Sequence, residues 1–564
     1  MRFLGKLLLT ILLLAVLALV ILYVLLQTTW ASGRISNWVN QNTDYQVSLG
    51  KIDHSWSEPD HIQLKDVTFG HKNQPPTLTA KQVSAGLGVR QITEPRHFSS
   101  LDLEGGTLNL SPSAATLPIE ADVLQLRTMA LQAKDDNWNL NGQQINGGIT
   151  PWQPQEGYLL GKQGHFQLSA RSLRLNDVPA SQVFVQGEIN NNQLTLGNFG
   201  ADVAQGQLTG NASRAEDGSW QIDNLRLSKV RLQTPKTMQE FWQPITALPS
   251  VAVSRFDLID ARIEGPGWAF IDLDVTLRNV TFKQDDWQSD DGELSFNATD
   301  IVNGNMHLID PIVNLGLARN GVEIKQFTTR WEGGLLRTNG SWQRSDHRLQ
   351  LNEFVVAGME YTLPSDWIQR WQTRLPDWMA EVNVKKFTAN RNLLIDINPD
   401  FPFQLTALDG YGSDLLLARH HQWGVWGGTL NLNASDATFN KVDVRRPSLA
   451  LTANDSLITL TDLSAFTQNG LLEAKATIAQ SPSRDFSVTM NGRAVPADIL
   501  TRWGWPAQAL TSSGDTNLQL QLNGQLAVDT PLRTTLNGAL QGVGPDGQPI
   551  RQQLQQGAVI TAPR

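Results

Sequence analysis

The segment NLQLQL (Asn517–Leu522) puts Leu518, Leu520 and Leu522 on one side of an extended chain and Asn517, Gln519 and Gln521 on the other. IDLDVTL (Ile271–Leu277) sets Ile271, Leu273, Val275 and Leu277 against Asp272, Asp274 and Thr276 in the same way. Period-two alternation marks a strand with one apolar and one polar face. It recurs almost everywhere past residue 50, broken by Gly and Asn-rich turns roughly every ten residues, the spacing of hairpins. The reading is a mainly β protein built on an antiparallel sheet.

A second pattern spaces apolar residues as apolar-x-apolar-x-x-apolar-x-apolar. It occurs at Ile62, Leu64, Val67, Phe69; at Trp220, Ile222, Leu225, Leu227; and at Val275, Leu277, Val280, Phe282. It returns at Leu349, Leu351, Phe354, Val356 and at Ile458, Leu460, Leu463, Ala465. In a flat strand the central gap would throw the second half onto the other face. One extra residue held as a β-bulge keeps both halves on one face and coils the strand. Two short strands joined by a tight turn are the alternative.

Six octapeptides share Gly-x-Leu-x-x-x-small-Ser/Thr and begin at Gly106, Gly206, Gly292, Gly334, Gly428 and Gly470. The spacing is 42 residues from Gly292 to Gly334 and again from Gly428 to Gly470. Each Gly is expected where a turn re-enters a strand, tolerating positive φ. A β repeat of this length allows a propeller or an open-ended array. Irregular gaps and helical interruptions favour an elongated, curled sheet in which neighbours contact only neighbours. Helices are expected at 236–245, interrupted at Pro244, at 365–380 and at 496–503. Residues 32–43, with Ile35, Trp38 and Val39 on one face, are expected to prolong a preceding membrane helix.

That membrane helix is Leu7–Leu26, 20 residues without a charge, of which eleven are Leu. At about 1.5 Å per residue it covers about 30 Å, the hydrocarbon thickness. Leu7, Leu14, Val20 and Leu26 mark the span. Arg2 and Lys6 precede it and no cation follows until Arg34, which keeps the N-terminus cytoplasmic and sends the body across. A cleaved signal peptide is the rival reading, but the apolar run is longer than an ordinary signal core.

Over the 564 residues, Lys plus Arg total 45 against 54 Asp plus Glu, a net charge of −9. Such a chain is a poor partner for nucleic acid. Cysteine is absent, which excludes disulfides and thiolate chemistry. There is no G-x-S-x-G elbow, H-E-x-x-H or P-loop. His420 and His421 are adjacent and make a poor chelate, and HHQWGVWGG (His420–Gly428) reads as a turn with packed Trp. Asp285, Asp286, Asp290, Asp291 and Glu293 crowd one loop without the spacing of a calcium-binding hand. The expectation is no enzyme, no metal and no cofactor.

Three stretches carry a resemblance: IDHSWSEPDHIQLKDVTFG (Ile52–Gly70), RWEGGLLRTNGSW (Arg330–Trp342) and RRPSLALTANDS (Arg445–Ser456). With the span, and along essentially the whole chain, the sequence resembles the AsmA family of Gram-negative envelope proteins. The resemblance implies an inner-membrane anchor, a periplasmic β-rich body, a chorein-like N-terminal module and a U-shaped sheet with a greasy trough, as in eukaryotic bridge-like lipid transfer proteins. It carries no catalytic residue set. The implied organisation is a cytoplasmic tip and transmembrane anchor (1–27), a chorein-like module (28–105), a repetitive β-groove body (106–495) and a C-terminal β segment (496–564) whose end need not be ordered. The functional expectation is phospholipid binding or transfer along the groove in support of outer-membrane homeostasis. The candidate lining is Ile62, Leu64, Val67, Phe69, Val275, Leu277, Val280, Phe282, Leu349, Leu351, Phe354 and Val356. The alternative is an envelope assembly or scaffolding factor whose sheet edges pair with other envelope proteins.

Overall fold

The computed structural model describes residues 2–560 apart from 110, 112–115, 135–138, 156–160, 177, 192, 247–249, 284–285, 507–513 and 528–530. The chain is mainly β, in long antiparallel sheet with a few short helices. It forms two compact units: Met1–Pro266 with Thr276–Asp286, and Gly267–Val275 with Trp287–Arg564.

In the first unit Glu58–His71, Leu78–Gly86 and Ser100–Asn109 form antiparallel neighbours. Ser100–Asn109 then pairs in parallel with Leu124–Lys134. An antiparallel meander continues through Asn139–Thr150, Gln163–Leu175, Val178–Asn190, Gln193–Val203, Gly206–Arg214 and Trp220–Ser228. Trp220–Ser228 pairs in parallel with Val251–Gly265. The second unit repeats the device: Arg348–Ala357 and Glu360–Thr362 lie parallel to Glu381–Asp396, between antiparallel neighbours. Parallel neighbours need a crossover, usually helical. The two later crossovers hold helices α3 (Met238–Thr246) and α4 (Trp367–Gln372), with the same Pro-x6-Trp spacing at Pro235/Trp242 and Pro364/Trp371. The C-terminal chain is strand-paired as far as Ile560.

The central gap of the recurring motif is accommodated in two ways. In three copies one residue is extra. Asn211 and Ala212 pair with Asn224 and Ile222, Asn339 and Gly340 with Glu353 and Leu351, and Ala450 and Leu451 with Asp462 and Leu460. Asp223, Asn352 and Thr461 are therefore the bulged residues, each directly after the second apolar position. In the other two copies a left-handed residue fills the gap: Asp66 (φ 52) and Asn279 (φ 52). Both devices return the chain to the same face. Leu64, Val67 and Phe69 enter one apolar cluster, and Leu349, Leu351 and Phe354 enter another. Irregular positions also align between neighbours. Asp66, Gly105 (φ 59) and Thr128 (φ 52) fall on one line across their strands, where aligned bends crease the sheet.

Four of the octapeptide glycines stand where a turn re-enters a strand, as expected: Gly206, Gly292 and Gly334 open strands and Gly470 directly precedes one, but positive φ is not the reason for glycine there. Of the six only Gly428 (φ 98) is left-handed. The others permit close approach: a Cβ would lie 2.0 Å from Thr79 O at Gly106, 2.3 Å from Ser228 O at Gly206 and 2.0 Å from Arg493 O at Gly470.

Four helix expectations are corrected. Helix α1 (Arg2–Leu26) does not run on into residues 32–43; a 71° bend separates it from α2 (Thr29–Asn42). Among the described residues no single helix is long and apolar enough to cross a membrane, although this bent pair passes together. The helix expected at 365–380 is only Trp367–Gln372, and Thr373 is already extended (φ −69, ψ 135). Pro376 disfavours helical backbone at Leu375, and Leu375 instead packs with Val382 and Ala418. The helix expected at 236–245 with an interruption at Pro244 is α3, Met238–Thr246, which continues through Pro244. Of the helix expected at 496–503, only Ile499–Arg502 (helix α5) forms.

Two apolar cores have a second layer. In the first unit Leu101, Leu103, Leu124, Leu126 and Met129 are covered by Leu117, Ala121 and Trp152, next to the two-stranded sheet of His97–Phe98 with Glu120–Ala121. In the second unit Ile499, Leu500 and Trp505 lie against Met490, Leu518, Leu520 and Leu540.

The bulge makes a deletion test. Removing Asn352 leaves Leu349, Leu351 and Phe354 in strict alternation, whereas removing Gln350 turns Leu349 outward. The second deletion is expected to cost at least about 2 kcal/mol more than the first, since a Leu leaves the core and a polar residue enters it. Denaturant midpoints of the two variants check this.

Candidate functional site

The structure divides the sequence-derived candidates. Val67 and Phe69 are buried in the first core with Leu64 against it, and Ile62 is half-buried. Val280 is buried, while Val275, Leu277 and Phe282 are half-buried. Leu351 is buried with Val384 and Leu415, and Leu349 and Phe354 pack onto that cluster. Val356 lines an apolar cavity of about 260 Å³ together with Phe387, Leu408 and Leu430. A second cavity of about 260 Å³ lies among Phe439, Val444, Leu472, Met490 and Trp503, whose indole N–H donates to Phe439 O at 3.0 Å. On α1, Leu14, Val20 and Leu26 are exposed, and the side chain of Leu7 lies outside the described residues.

A broad, half-covered apolar surface runs through residues that mostly lie outside the recurring motif. Across the meander, Leu168, Val185, Phe199, Gly210, Leu225 and Phe256 stand directly opposite one another in successive strands. Ile149, Phe166, Gly187, Leu196, Ala212, Ile222 and Val253 form a parallel row. Opposed residues share a face. Seven strands at about 4.8 Å make this second row about 30 Å across. Ile149 and Val253, at the ends of the second row, are buried, but between them the rows are only half-covered: among the described residues from 171 to 229, Ala212 is the only buried apolar side chain. Elsewhere in the first unit the same alternation ends in a closed core.

The glycines in these rows are covered by rings. A Cβ at Gly187 would lie 2.9 Å from Phe166 Cζ, and one at Gly210 would lie 2.9 Å from Phe199 Cζ. The rings lie flat over backbone instead of standing up from the sheet, so the face stays low. Phe one strand away from Gly is a signal the sequence held, but it needs the register to be read.

The opposite face is polar. A cavity of about 870 Å³ lies there among Gln125, Arg127, Asn146, His165, Gln167 and Glu188. Burial raises the Asp102 carboxyl above its ordinary value, opposed by Arg127 at 2.8 Å. His97 is buried beside Asp122 (2.8 Å) and Glu120 (3.6 Å), with Arg90 3.1 Å from Asp122. The hydrogen bond from His97, then the charges of His97 and Arg90, hold Asp122 below the usual carboxylate value. Among the described residues no group of three His, Asp or Glu is arranged to hold a metal. His420 and His421 are the two left-handed residues of a tight hairpin, and Trp423 stacks on Trp371 at 5.7 Å, as the turn reading expects. Asp285 lies outside the described residues; Asp290 pairs with Arg319 and Glu293 with Lys325.

A one-sided antiparallel sheet, bulged to hold its apolar side chains together and left half-covered over several strands, defines a protein that presents an extended apolar surface. No family model matches the chain, and no solved structure matches it. The sequence is 50% identical over 559 residues to the AsmA family protein YicH of Escherichia coli (strain K12), covering 99% of this chain and 98% of that protein. The chain belongs to the AsmA family.

Burial separates two substitutions that look alike in sequence. Leu351→Asp puts an unpaired charge into a packed cluster and is expected to cost about 3 kcal/mol or more. Leu196→Asp, on the half-covered row, should cost about 1 kcal/mol. Urea unfolding of both variants compares them.

Acid titration tests the His97 pair. Because the folded Asp122 value is depressed, its stabilisation is complete above the ordinary carboxylate value of 3.8 and is lost as pH falls through the folded value. Asp122→Asn should therefore lose less stability than the parent between about pH 6 and about pH 3, read from urea midpoints at each pH.

Proposed function

We propose that the chain is a membrane-anchored lipid-binding protein that holds phospholipid acyl chains along its half-covered apolar sheet face and passes them on by sliding. The observation that carries this reading is the pair of apolar rows running through Leu168–Phe256 and Ile149–Val253, continuous across strands and incompletely covered. An apolar sheet face demands cover. Where a second layer is missing, hydrocarbon supplies it at about 0.8 kcal/mol per buried CH₂. A two-chain phospholipid with about 30 such groups is then held by tens of kcal/mol relative to water, yet loses little on moving between similar apolar sites. The bulges and left-handed residues favour a sheet curled around that face as a groove, with a chorein-like module at its start. The two small apolar cavities of the second unit extend the same chemistry.

In this reading α1 is the anchor in the inner membrane, with Arg2 and Lys6 on the cytoplasmic side and the sheet in the periplasm. The protein binds lipid rather than transforming it, uses no cofactor and does not engage nucleic acid. Its service is to outer-membrane homeostasis.

The test is to purify the full chain in a mild detergent and analyse the bound lipid by native mass spectrometry. Phospholipid retained after extensive washing is expected, with at least a several-fold reduction in Leu196→Asp. A folded protein that carries no lipid, or equal lipid in that variant, overturns the reading.

A further inference from the structure

Helix α2 has its polarity reversed. Ser32, Ser36 and Asn40 form a stripe that faces the protein. Ser32 Oγ donates to Gly50 O at 2.9 Å, and Ser36 Oγ accepts from Leu49 N–H at 3.1 Å. Asn40 exchanges two hydrogen bonds with the Val47 backbone, at 3.0 and 2.6 Å. The helix thus closes the free edge of the first strand, Tyr45–Ser48, with side-chain groups acting as a neighbouring strand. Trp30, Arg34 and Trp38 lie two residues further back at each step, about 200° around the helix. Trp30 is 60% exposed and Trp38 64%, with Ile35 beside them and the Arg34 guanidinium 5.4 Å from the Trp30 ring. In water a helix buries its apolar stripe; this one turns its apolar stripe outward.

Two loops present the same chemistry. Trp56, at the tip between Lys51–Ser55 and Glu58–His71, is 78% exposed. Its ring lies 5.4 Å from Tyr23 on α1, and the Tyr23 hydroxyl is 2.9 Å from His54 Nδ1. The adjoining turn exposes Val89 (85%) and Ile92 (83%), and Leu87 N–H donates to Asp60 O at 2.7 Å, holding that turn beside the Trp56 tip. Tyr23 is three residues from the end of α1. The tip is therefore fixed at the level where α1 would leave the hydrocarbon.

We infer that the outward stripe of α2 and the tips at Trp56 and Val89–Ile92 form one surface that sits in the headgroup–acyl boundary of the lipid bilayer. This rests on the anchoring role proposed for α1 and adds a second, non-spanning contact. The bilayer is the occupant because α2 begins only two residues after α1 and because a side chain of α1 touches the exposed tip. Amphipathic helices with Trp beside cations lie at that depth. The contact holds the end of the first strands against the bilayer and so presents the start of the sheet to lipid.

The absence of cysteine allows single spin labels on the full chain. Labels replace Trp38 and Ile92, with Val89 as a second probe of the loop, Leu14 for the span and Thr195 for the polar sheet face. The chain is reconstituted in phosphatidylethanolamine–phosphatidylglycerol vesicles, and collisions with oxygen are compared with collisions with a water-soluble nickel complex. The inference expects an oxygen-to-nickel ratio at positions 38, 89 and 92 several-fold above that at 195. If those three match 195 while 14 reads deep, the interfacial contact is wrong and the anchor stands. If 14 also matches 195, the anchor fails with it. If 38, 89 and 92 read interfacial while 14 does not, the surface contact holds without a span.

Discussion

The fold depends on keeping apolar side chains on one side of long strands through repeated bends. A strand has period two, so a slip of one residue exchanges its faces. This chain takes the slip and cancels it at the same place. Asp223, Asn352 and Thr461 are extra residues in their ladders, and Asp66 and Asn279 reset the direction by turning left-handed. Polar residues occupy all five positions, because the bulge points away from the apolar face. The sheet therefore bends without being interrupted, and its greasy side is never handed to the other face.

What covers that side then decides what each stretch does. Leu351 and Leu196 are both strand leucines with polar neighbours in sequence. Leu351 meets Val384 and Leu415 and is packed, while Leu196 stands between Gly187 and Ala212 and meets little above it. Small residues opposite large ones, with Phe166 and Phe199 lying over glycine, make a shallow surface that a second protein layer does not fill. Hydrocarbon tolerates such a surface because it takes the shape of its container.

The fold class, the bulges and the turn at His420–His421 are legible in the sequence because each is decided within a dozen residues. The covered and uncovered stretches are not legible. Cover for Leu103 and Leu124 comes from Leu117 and Trp152, and that for Leu520 from Ile499 and Trp505 in a short segment with no distinctive pattern. The octapeptide glycines mislead only in part: four of them do mark the start of a strand, but the need for glycine comes from close backbone approach and not from positive φ. Helix α2 misleads for another reason. Its apolar residues suggest continuation of the span, but its direction is set by Ser32, Ser36 and Asn40, whose bonds to a strand edge appear only once the strand is in place.

The second layer in the first unit bears on how lipid would reach the open rows. Leu117, Ala121 and Trp152 close the apolar face over Leu101, Leu103 and Leu124, in strands lying between the Glu58–His71 hairpin and the meander. Ala121 and Trp152 exchange backbone hydrogen bonds at 2.9 Å, and the His97–Asp122 pair fastens the same segment. On the proposed lipid-binding reading, an acyl chain entering at the Trp56 end would meet this packed cover. It must displace the cover or enter from the side at the half-covered strands. Among the described residues, the short two-stranded pairing, the Ala121–Trp152 bridge and the His97–Asp122 pair tie this cover down, and none of them belongs to the main ladder. On the same reading, this packed layer, and not the pairing of the main ladder, separates the Trp56 end from the half-covered strands.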